Sequence, residues 1–581
     1  MFKQLLSISI LLVFSFVTKA QLYITSGETI TVSTSGDLVL QEDLNNNGTI
    51  INLILGGSNA QNILGVGIIN TLIINKTAGT ATGTGGMQSI TNTITPTAGA
   101  LNAGGYITLL STVSGSATIT QGSGSYLSGN IIVQRYVGNS IQWRMVGFPF
   151  LAATTLAESS LAGFYTSGYA ANTYNESGDN GAYGNGGTVN AGWNAFTSGT
   201  ITANKGLLLS GGVISSPINF SGTVNTGTQS IALSYTTGNT NKGWNLIVNP
   251  YASNINWTTI QSNNTTNLDN AIYRYDPNTT AYASYVNAVH TGNQSNVIEN
   301  GAGFFVHSTG ATSLSVSETD KTNSSPLASL FGVQPIGYQD KSIIKLSLVK
   351  QGEDYGDEVI VRWGVDPATD NFDGKYDAYD MGRTTGADLS VVGKDGTVYS
   401  IFHGSALQTK DKEQREISLG IKNIAEGNYS INTNLLSAMY AGNDVFLRDH
   451  YTNQTTLIST DSSSYAFMVT SDALSSSTNR FSIALNYKAV DHNTANNNLP
   501  VLLLNNPSTG NLFTLYSKNN FNQLQWEIVD ASGRSLQTGL LSNVLKASTH
   551  QINAGNTNHG SYFIKLNGDG NALPVLKAIK N

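Results

Sequence analysis

The feature that most constrains the fold is the near absence of charge across residues 44–134, where Lys76 is the single charged side chain. Short apolar runs, such as residues 53–55 and 72–74, recur between turns rich in Gly and Asn. Runs of β-branched residues separated by such turns predict strands. We therefore predict a β-solenoid over residues 21–134, in which stacked coils bury a common apolar row, with a small β-sandwich as the alternative.

The first twenty residues have the layout of a secretory signal. Lys3 precedes an apolar run over residues 5–17, and small residues stand at Thr18 and Ala20. This layout predicts a signal peptide at residues 1–20, with cleavage between Ala20 and Gln21. The apolar run is too short for a membrane-spanning helix, which needs about 20 residues, and we expect no transmembrane segment elsewhere.

Residues 135–325 are rich in aromatic side chains and contain an imperfect internal repeat. Residues 143–150 match residues 244–251, each segment beginning with Trp and containing Pro, and residues 201–209 match residues 298–306. We predict an aromatic-rich β-domain built from two related units.

Charged residues return over residues 336–488, with clean alternation of apolar and polar side chains in residues 344–348 and 359–363. A period of two indicates half-buried strands. Residues 394–397 (Lys-Asp-Gly-Thr) predict a hairpin turn. We predict a β-sandwich here, followed by a polar linker at residues 489–500. The predicted fold class is therefore all-β and multidomain.

Composition excludes several classes of function. The chain has no cysteine, which rules out disulfides, thiolate metal sites and cysteine nucleophiles. Its net charge of −7 argues against a nucleic-acid partner, since binding phosphates needs a basic face. The seven histidines are scattered, and no nucleophile elbow, phosphate loop or zinc-helix motif is present in the sequence.

Residues 501–581 form a further small all-β module that carries four short motifs in order. The motif residues are Asn506, Pro507 and Gly510 in a turn, Asp530, Gly533 and Arg534 in a hairpin, Gly560, Tyr562 and Lys565 in a strand, and Lys577 and Lys580 near the chain end. This order resembles the type A C-terminal sorting domain of the type IX secretion system of Bacteroidetes. Asn505 stands where that family has a first proline.

The resemblance implies an export route and its partners. The signal peptide would take the chain into the periplasm, and the type IX translocon, with its outer-membrane shuttle and sortase, would carry it outward and remove the sorting domain. We expect a secreted protein or one on the outer cell surface, either released or linked to lipopolysaccharide. The remaining modules resemble, more loosely, other secreted proteins of the same bacteria.

An acidic segment suggests a metal site. Asp366, Asp370, Asp373 and Asp377 lie close together in the sequence, and carboxylate oxygens on a turning loop are the ligands that calcium requires. The spacing is not that of an EF-hand. The alternatives are a solvated acidic loop whose side chains cap turns, or a carboxylate pair of a glycosidase. Calcium is the possible cofactor.

Four tyrosines of the repeat domain suggest a ligand surface. Tyr273, Tyr275, Tyr282 and Tyr285 are spaced so that a hairpin could place some of them on one face. Exposed aromatic rings stack on sugars, which would make this set a glycan-binding surface. The alternative is that they are cross-strand packing partners.

These patterns favour a non-catalytic structural or adhesive protein, with glycans or other surface proteins as possible partners. A carbohydrate-binding accessory protein is the alternative. A polysaccharide-degrading enzyme built on the solenoid is a third hypothesis, and the presence of Lys76 as the single basic residue of residues 44–134 counts against it.

Overall fold

The computed structural model describes residues 21–30, 38–136, 143–151, 154–156, 170–178, 192–196, 199–201, 203–210, 217–239, 242–324, 343–363, 369–383, 385–405, 415–435, 445–458, 463–485, 499–504, 508, 511–546, 548–555 and 557–580. Within these residues the fold consists of strands, one α-helix, α1 (Trp257–Asn263), and three short 3-10 turns. The prediction of an all-β, multidomain chain is confirmed. The predicted signal peptide and nearly all of the predicted linker lie outside the described residues.

Parallel strands stack into a solenoid at the N-terminal end. Its strands are β1 (Leu22–Ile24), β2 (Thr29–Ile30), β3 (Leu38–Leu40), β4 (Leu44–Asn46), β5 (Thr49–Gly57), β6 (Gln61–Leu64), β7 (Ile68–Gly83), β8 (Gln88–Asn102), β9 (Ile107–Leu109), β10 (Ser111–Thr112), β11 (Gly115–Ser116), β12 (Thr118–Ile119), β13 (Leu127–Ser128) and β14 (Ile131–Arg135). β5, β7, β8, β9 and β14 pair in parallel, one after another.

Coil length varies from one turn of the solenoid to the next. One column of paired residues advances along the chain in steps of 20, 19, 21, 19 and 24, through Ile30, Ile50, Ile69, Ile90, Leu109 and Val133. All of these after Ile30 are buried. The solenoid prediction is confirmed over the small sandwich, and the unequal turns explain why the sequence shows no strict period.

The solenoid also buries polar side chains at its corners. The Lys76 ammonium, 2% exposed, donates to the Gly56 carbonyl at 3.1 Å and to Gln61 Oε1 at 2.7 Å. The buried amide of Gln88 donates to the carbonyl of Asn46 and accepts from its side chain. Each of these buried donors thus meets an acceptor on another coil, which is the condition for burying polar groups.

The next domain contains two consecutive units. The first contributes β15 (Arg144–Val146), β16 (Thr154–Leu156), β17 (Ala170–Tyr174), β18 (Trp193–Ala195), β19 (Gly199–Ile201), β20 (Leu207–Ser210) and β21 (Ile218–Gly222). The second contributes β22 (Gln229–Leu233), β23 (Trp244–Val248), β24 (Asn254–Asn256), β25 (Leu268–Asp276), β26 (Ala281–Val286), β27 (Val289–His290), β28 (Val297–Ile298), β29 (Gly303–Ser308), β30 (Thr312–Val316) and β31 (Lys321–Thr322).

The two units have the same strand pairing. The sheet order β15-β20-β17-β18 of the first unit is repeated as β23-β29-β25-β26 in the second. The pair β16–β19 corresponds to β24–β28, and β14–β21 corresponds to β22–β30. Because β14 is also the last solenoid strand, the first unit continues the solenoid sheet directly.

Contacts between the units are equivalent in pairs, as around a two-fold axis. The bridge between Val146 and Ala302 corresponds, in the aligned repeat, to the bridge between Ile247 and Lys205. Near the axis Gly147 lies against Val248, and a Cβ added to Gly147 would stand 1.8 Å from Val248 Cγ1. These two residues occupy equivalent positions in the repeat. The short distance means that the space between them accommodates the side chain of only one of the two.

The sandwich domain is one sheet folded around a core. Its strands are β32 (Ile343–Lys350), β33 (Asp357–Trp363), β34 (Ala378–Tyr379), β35 (Asp388–Val392), β36 (Val398–Gly404), β37 (Arg415–Lys422), β38 (Gly427–Leu435), β39 (Val445–Asp449), β40 (Gln454–Leu457), β41 (Ser463–Val469) and β42 (Phe481–Leu485). The predicted hairpin is present between β35 and β36, where Gly393 and Thr397 close the turn.

The C-terminal module consists of two small sheets with their own core. Its strands are β43 (Val501–Leu504), β44 (Leu512–Ser517), β45 (Phe521–Val529), β46 (Ser535–Val544), β47 (Ser548–Asn553), β48 (Gly560–Gly568) and β49 (Asn571–Lys580).

Shared cores join the first three parts of the chain. One apolar cluster extends from the solenoid into the first unit and includes Ile131 of the solenoid and Phe148 of the first unit. Another apolar cluster joins the two units to the sandwich and includes Trp244 of the second unit and Ile360 of the sandwich. The last solenoid coil is also tied to the second unit, because Glu318 accepts a hydrogen bond from the Tyr126 hydroxyl at 2.9 Å.

Candidate functional site

The four tyrosines proposed as a sugar-stacking surface lie in the protein interior. Tyr273, Tyr275 and Tyr285 are buried, and Tyr282 is partly buried. Tyr273 packs edge-to-face on Trp244 at 5.0 Å between ring centroids, and Tyr275 packs on Tyr282 at 5.5 Å. The burial of three of the four rings favours the alternative, in which these tyrosines are cross-strand packing partners, over a sugar-stacking surface.

The described aspartates of the acidic segment do not converge on a common point. Asp370 accepts hydrogen bonds from Ser405, Asp373 accepts one from a backbone N–H of its own loop, and Asp377 accepts two backbone N–H groups at 2.7 Å each. Burial raises the pKa of Asp377 to about 7. No group of three or more His or acidic side chains within the described residues could hold a metal ion, and Asp366 lies outside them. The hydrogen bonds of the described aspartates are those of the alternative, a loop whose acidic side chains cap turns, and calcium at Asp366 and its neighbours stays a prediction.

A cleft lies between the last solenoid coils and the two-unit domain. Its volume is about 630 Å³. Solenoid residues from β8 and β10–β12 line one wall, and residues of β15, β25 and the segment before β29 line the other. The cleft therefore exists only because the solenoid and the two units are joined.

Three arginines from three strands meet in this cleft. Arg135 ends β14, Arg144 begins β15, and Arg274 lies on β25. Arg274 pairs with the carboxylate of Glu299. Burial alone would raise the pKa of Glu299, but Arg274 and Arg135 together hold it below its usual range.

The Arg135 guanidinium has no direct acceptor within the described part of the chain. Its aliphatic stem lies near the Gly301 backbone, since a Cβ at Gly301 would stand 3.6 Å from Arg135 Cδ. Burial lowers its pKa, Glu299 raises it, and Arg274 and Arg144 lower it further. An arginine stays charged in proteins. The Arg135 guanidinium is therefore a confined positive charge that has two further positive charges, those of Arg274 and Arg144, near it.

Neutral polar side chains are the most numerous among the other residues that line the cleft. Of its 29 lining residues, 15 are Ser, Thr, Asn or Gln. The charged lining residues are the three arginines, Glu299 and Asp276, and burial raises the pKa of Asp276. Such a surface offers many hydroxyl and amide groups around a positive centre.

The sequence carries one local signal for this site. Arg135 and Arg144 are the only basic residues between Lys76 and Lys205. Arg274 lies 130 residues beyond Arg144 in the sequence. No local pattern predicts that it joins them, because the pairing of the two units decides this.

The described sorting residues form the local structures that their motifs imply. Asp530 and Arg534 close the hairpin turn through backbone bonds and a side-chain ion pair of 3.1 Å, with Gly533 at φ +84°. Tyr562 lies on β48, and the Lys580 ammonium donates to Asn511 at 2.6 Å. Asn506, Pro507 and Gly510 lie outside the described residues.

In the described part of the chain, no helix has the length and apolar character needed to cross a membrane.

Comparison with solved structures gives only distant similarities. The BSP domain of a biofilm-associated protein shares 9% identity over 77% of this chain and 60% of its own, with a TM-score of 0.12. A tetra-tandem repeat in the extending region of a large adhesion protein shares 10% identity over 77% and 97%, with a TM-score of 0.11. An FMN-binding β-glucuronidase from Facaelibacterium prausnitzii L2-6 shares 8% identity over 41% and 39%, with a TM-score of 0.10. Similarities this weak carry no argument about fold or function.

Comparison with protein families is informative. Residues 505–581 match the secretion system C-terminal sorting domain, which confirms the resemblance seen in the sequence motifs. This domain indicates export by the type IX secretion system to the cell surface or the outside. Residues 53–485 match a domain of unknown function, DUF8693, whereas no curated protein matches the sequence. Because that match spans most of the chain, the protein belongs to the DUF8693 family and carries a type IX sorting domain.

Proposed function

We propose that this chain is a non-catalytic structural or adhesive protein that the type IX system places at the cell surface. The observation that carries the proposal is the continuity of its body. The solenoid sheet passes through β14 into the first unit, and common apolar cores join the units to the sandwich. A body of this kind holds its solenoid, its two units and its sandwich at fixed distances and orientations from one another, as a spacer or contact surface must.

The charge distribution supports the same role. Only 11% of the residues are charged. In the solenoid, buried amide side chains and Lys76 form hydrogen bonds with other buried groups instead of surface ion pairs. Stability of the solenoid therefore depends little on surface ion pairs, which salt weakens. Such a surface suits an exported protein exposed to variable ionic strength.

Deletion of the gene in the source bacterium tests this function. We expect cells without the chain to attach less to surfaces or to one another, and expression of the full chain to restore attachment. A matched strain whose chain ends at residue 504 keeps the body but lacks the sorting domain. It should fail to display the chain to external protease and should attach as poorly as the deletion strain. Unchanged attachment in the deletion strain would contradict the proposal.

A carbohydrate-binding role is the second candidate function. The observation that favours it is the cleft beside the solenoid, which combines three arginines with a lining rich in hydroxyl and amide groups.

A further inference from the structure

We infer that the cleft between the solenoid and the two-unit domain binds an acidic saccharide, whose carboxylate or sulfate lies among Arg135, Arg144 and Arg274. This inference rests on the proposed role in surface contact and names the ligand class for it.

The first argument is the local excess of positive charge. Three arginines line one cleft of a chain whose net charge is −7. The same lining contains two carboxylates, so the arginines outnumber the acidic groups. Glu299 is already engaged by Arg274. Arginines held together in this way repel one another, and an anion placed between them removes that repulsion while gaining charge-assisted hydrogen bonds.

The second argument is the free hydrogen-bonding capacity of Arg135. Its planar guanidinium carries five N–H donors, and in the described residues no carboxylate, carbonyl or hydroxyl accepts from them. It nevertheless lines the cleft, with its stem near Gly301. A carboxylate or sulfate offers the paired oxygens that match this donor geometry.

The third argument concerns the rest of the ligand. A cleft of about 630 Å³ is in the size range of small-ligand sites. About half of its lining residues are Ser, Thr, Asn or Gln, from Thr91 and Asn92 on the solenoid wall to Asn293 and Gln294 opposite. These walls offer hydrogen-bond partners to a ligand that carries several hydroxyl groups, which favours a sugar acid over an acidic peptide.

Affinity gel electrophoresis of the full chain tests this assignment. The gels contain polygalacturonate, dextran sulfate, poly-glutamate or neutral dextran. We expect retardation by an acidic polysaccharide and none by neutral dextran or poly-glutamate. Polygalacturonate and dextran sulfate distinguish a carboxylate from a sulfate ligand. Equal retardation by poly-glutamate would overturn the saccharide assignment, and no retardation by either acidic polysaccharide would overturn the inference.

Two sets of variants locate the site. Arg135→Gln with Arg144→Gln should weaken binding at least tenfold, whereas Lys394→Gln with Lys546→Gln, which changes net charge equally at exposed sites, should not.

Because loss of two partly buried arginines can impair folding, Val113→Glu gives an independent test. Val113 lines the cleft but is 61% exposed, and Val66, 67% exposed elsewhere on the solenoid, provides the control Val66→Glu. Val113→Glu should weaken binding and Val66→Glu should not; equal binding by both would place the site elsewhere.

The attachment assay separates this inference from the proposed function. If cells carrying the arginine variants attach normally while deletion cells do not, the adhesive function stands and the cleft is not its contact site.

Discussion

At the scale of single residues, Arg480 and Asp449 form an ion pair inside the sandwich. Arg480 Nη2 donates to Asp449 Oδ2 at 2.8 Å and Nε donates to Oδ1 at 3.1 Å, and both side chains are buried. The guanidinium also lies over the Phe467 and Phe481 rings. Both charges are therefore compensated only by each other and by nearby polar groups.

We expect Arg480→Met to destabilise the sandwich by about 3–5 kcal/mol, because it leaves Asp449 as an unpaired buried charge. The matched control is Lys394→Met, which breaks a 3.8 Å pair with Asp370 whose lysine is 81% exposed. That change should cost less than about 1 kcal/mol. Chemical unfolding followed by tryptophan fluorescence measures both, and similar losses for the two variants would contradict the prediction.

Three buried aspartates make the stability of the sandwich depend on pH. Burial and then the neighbouring Asp388 raise the pKa of Asp380 well above its usual range, and burial with the same neighbour raises that of Asp357. Asp380 Oδ2 is buried without a hydrogen-bond partner. The folded chain therefore holds protons that the unfolded chain releases at about pH 4, so the free energy of unfolding should fall as pH rises above that value.

We expect Asp380→Asn to remove part of this dependence. The amide oxygen can still accept the Gly382 N–H, and the amide cannot ionise beside Asp388. Thermal unfolding should show a gain in stability over the wild type that is larger at pH 8 than at pH 5, because the wild-type carboxyl loses its proton over that range and the amide cannot. Asp395→Asn is the control, since the Thr397 backbone N–H lowers the pKa of this exposed aspartate. An equal gain for Asp380→Asn at both pH values would refute the explanation.

At the scale of structural elements, the two-fold arrangement of the units makes a specific prediction about Gly147 and Val248. These equivalent residues meet near the axis, where one side chain fits. Gly147→Val alone should destabilise the domain by about 3 kcal/mol through overpacking. Val248→Gly alone should cost about 2 kcal/mol through the cavity that it leaves.

The exchange of both residues tests the symmetry itself. Gly147→Val with Val248→Gly restores one valine and one glycine, and we expect stability to return to within about 1 kcal/mol of the wild type. The four proteins form a double-mutant cycle that thermal unfolding can measure. Simple addition of the two single losses would show that the two positions are not equivalent.

At the scale of the whole molecule, the cores predict how the chain unfolds. The solenoid, the two units and the sandwich share large apolar clusters, whereas the sorting domain has a main core of its own. Its contact with the sandwich is a small cluster that includes Phe446 and Tyr516. We expect scanning calorimetry of the full chain to show one main transition for the body and a separate one for the sorting domain, because shared cores make unfolding cooperative. Deleting residues 505–581 should remove the second transition and leave the first. A separate transition for the solenoid would contradict this prediction.

Local sequence patterns were enough to predict the strands of this protein, the hairpin before β36, the stacked solenoid and the motifs of the sorting domain. Each depends on a short period or a turn, which neighbouring residues specify. The sequence also contained the repeat, because Trp143 directly precedes β15 and the matching Trp244 begins the equivalent strand β23.

Which of these features face solvent, and which of them contact one another, depends on long-range packing. Tyr273 has the same local pattern whether exposed or buried, and packing against Trp244 closed it to ligands. Arg135 and Arg274 lie 139 residues apart and share a cleft because the solenoid joins both units. Strand propensity acts over a few residues, whereas a binding site depends on long-range pairing that no local pattern encodes.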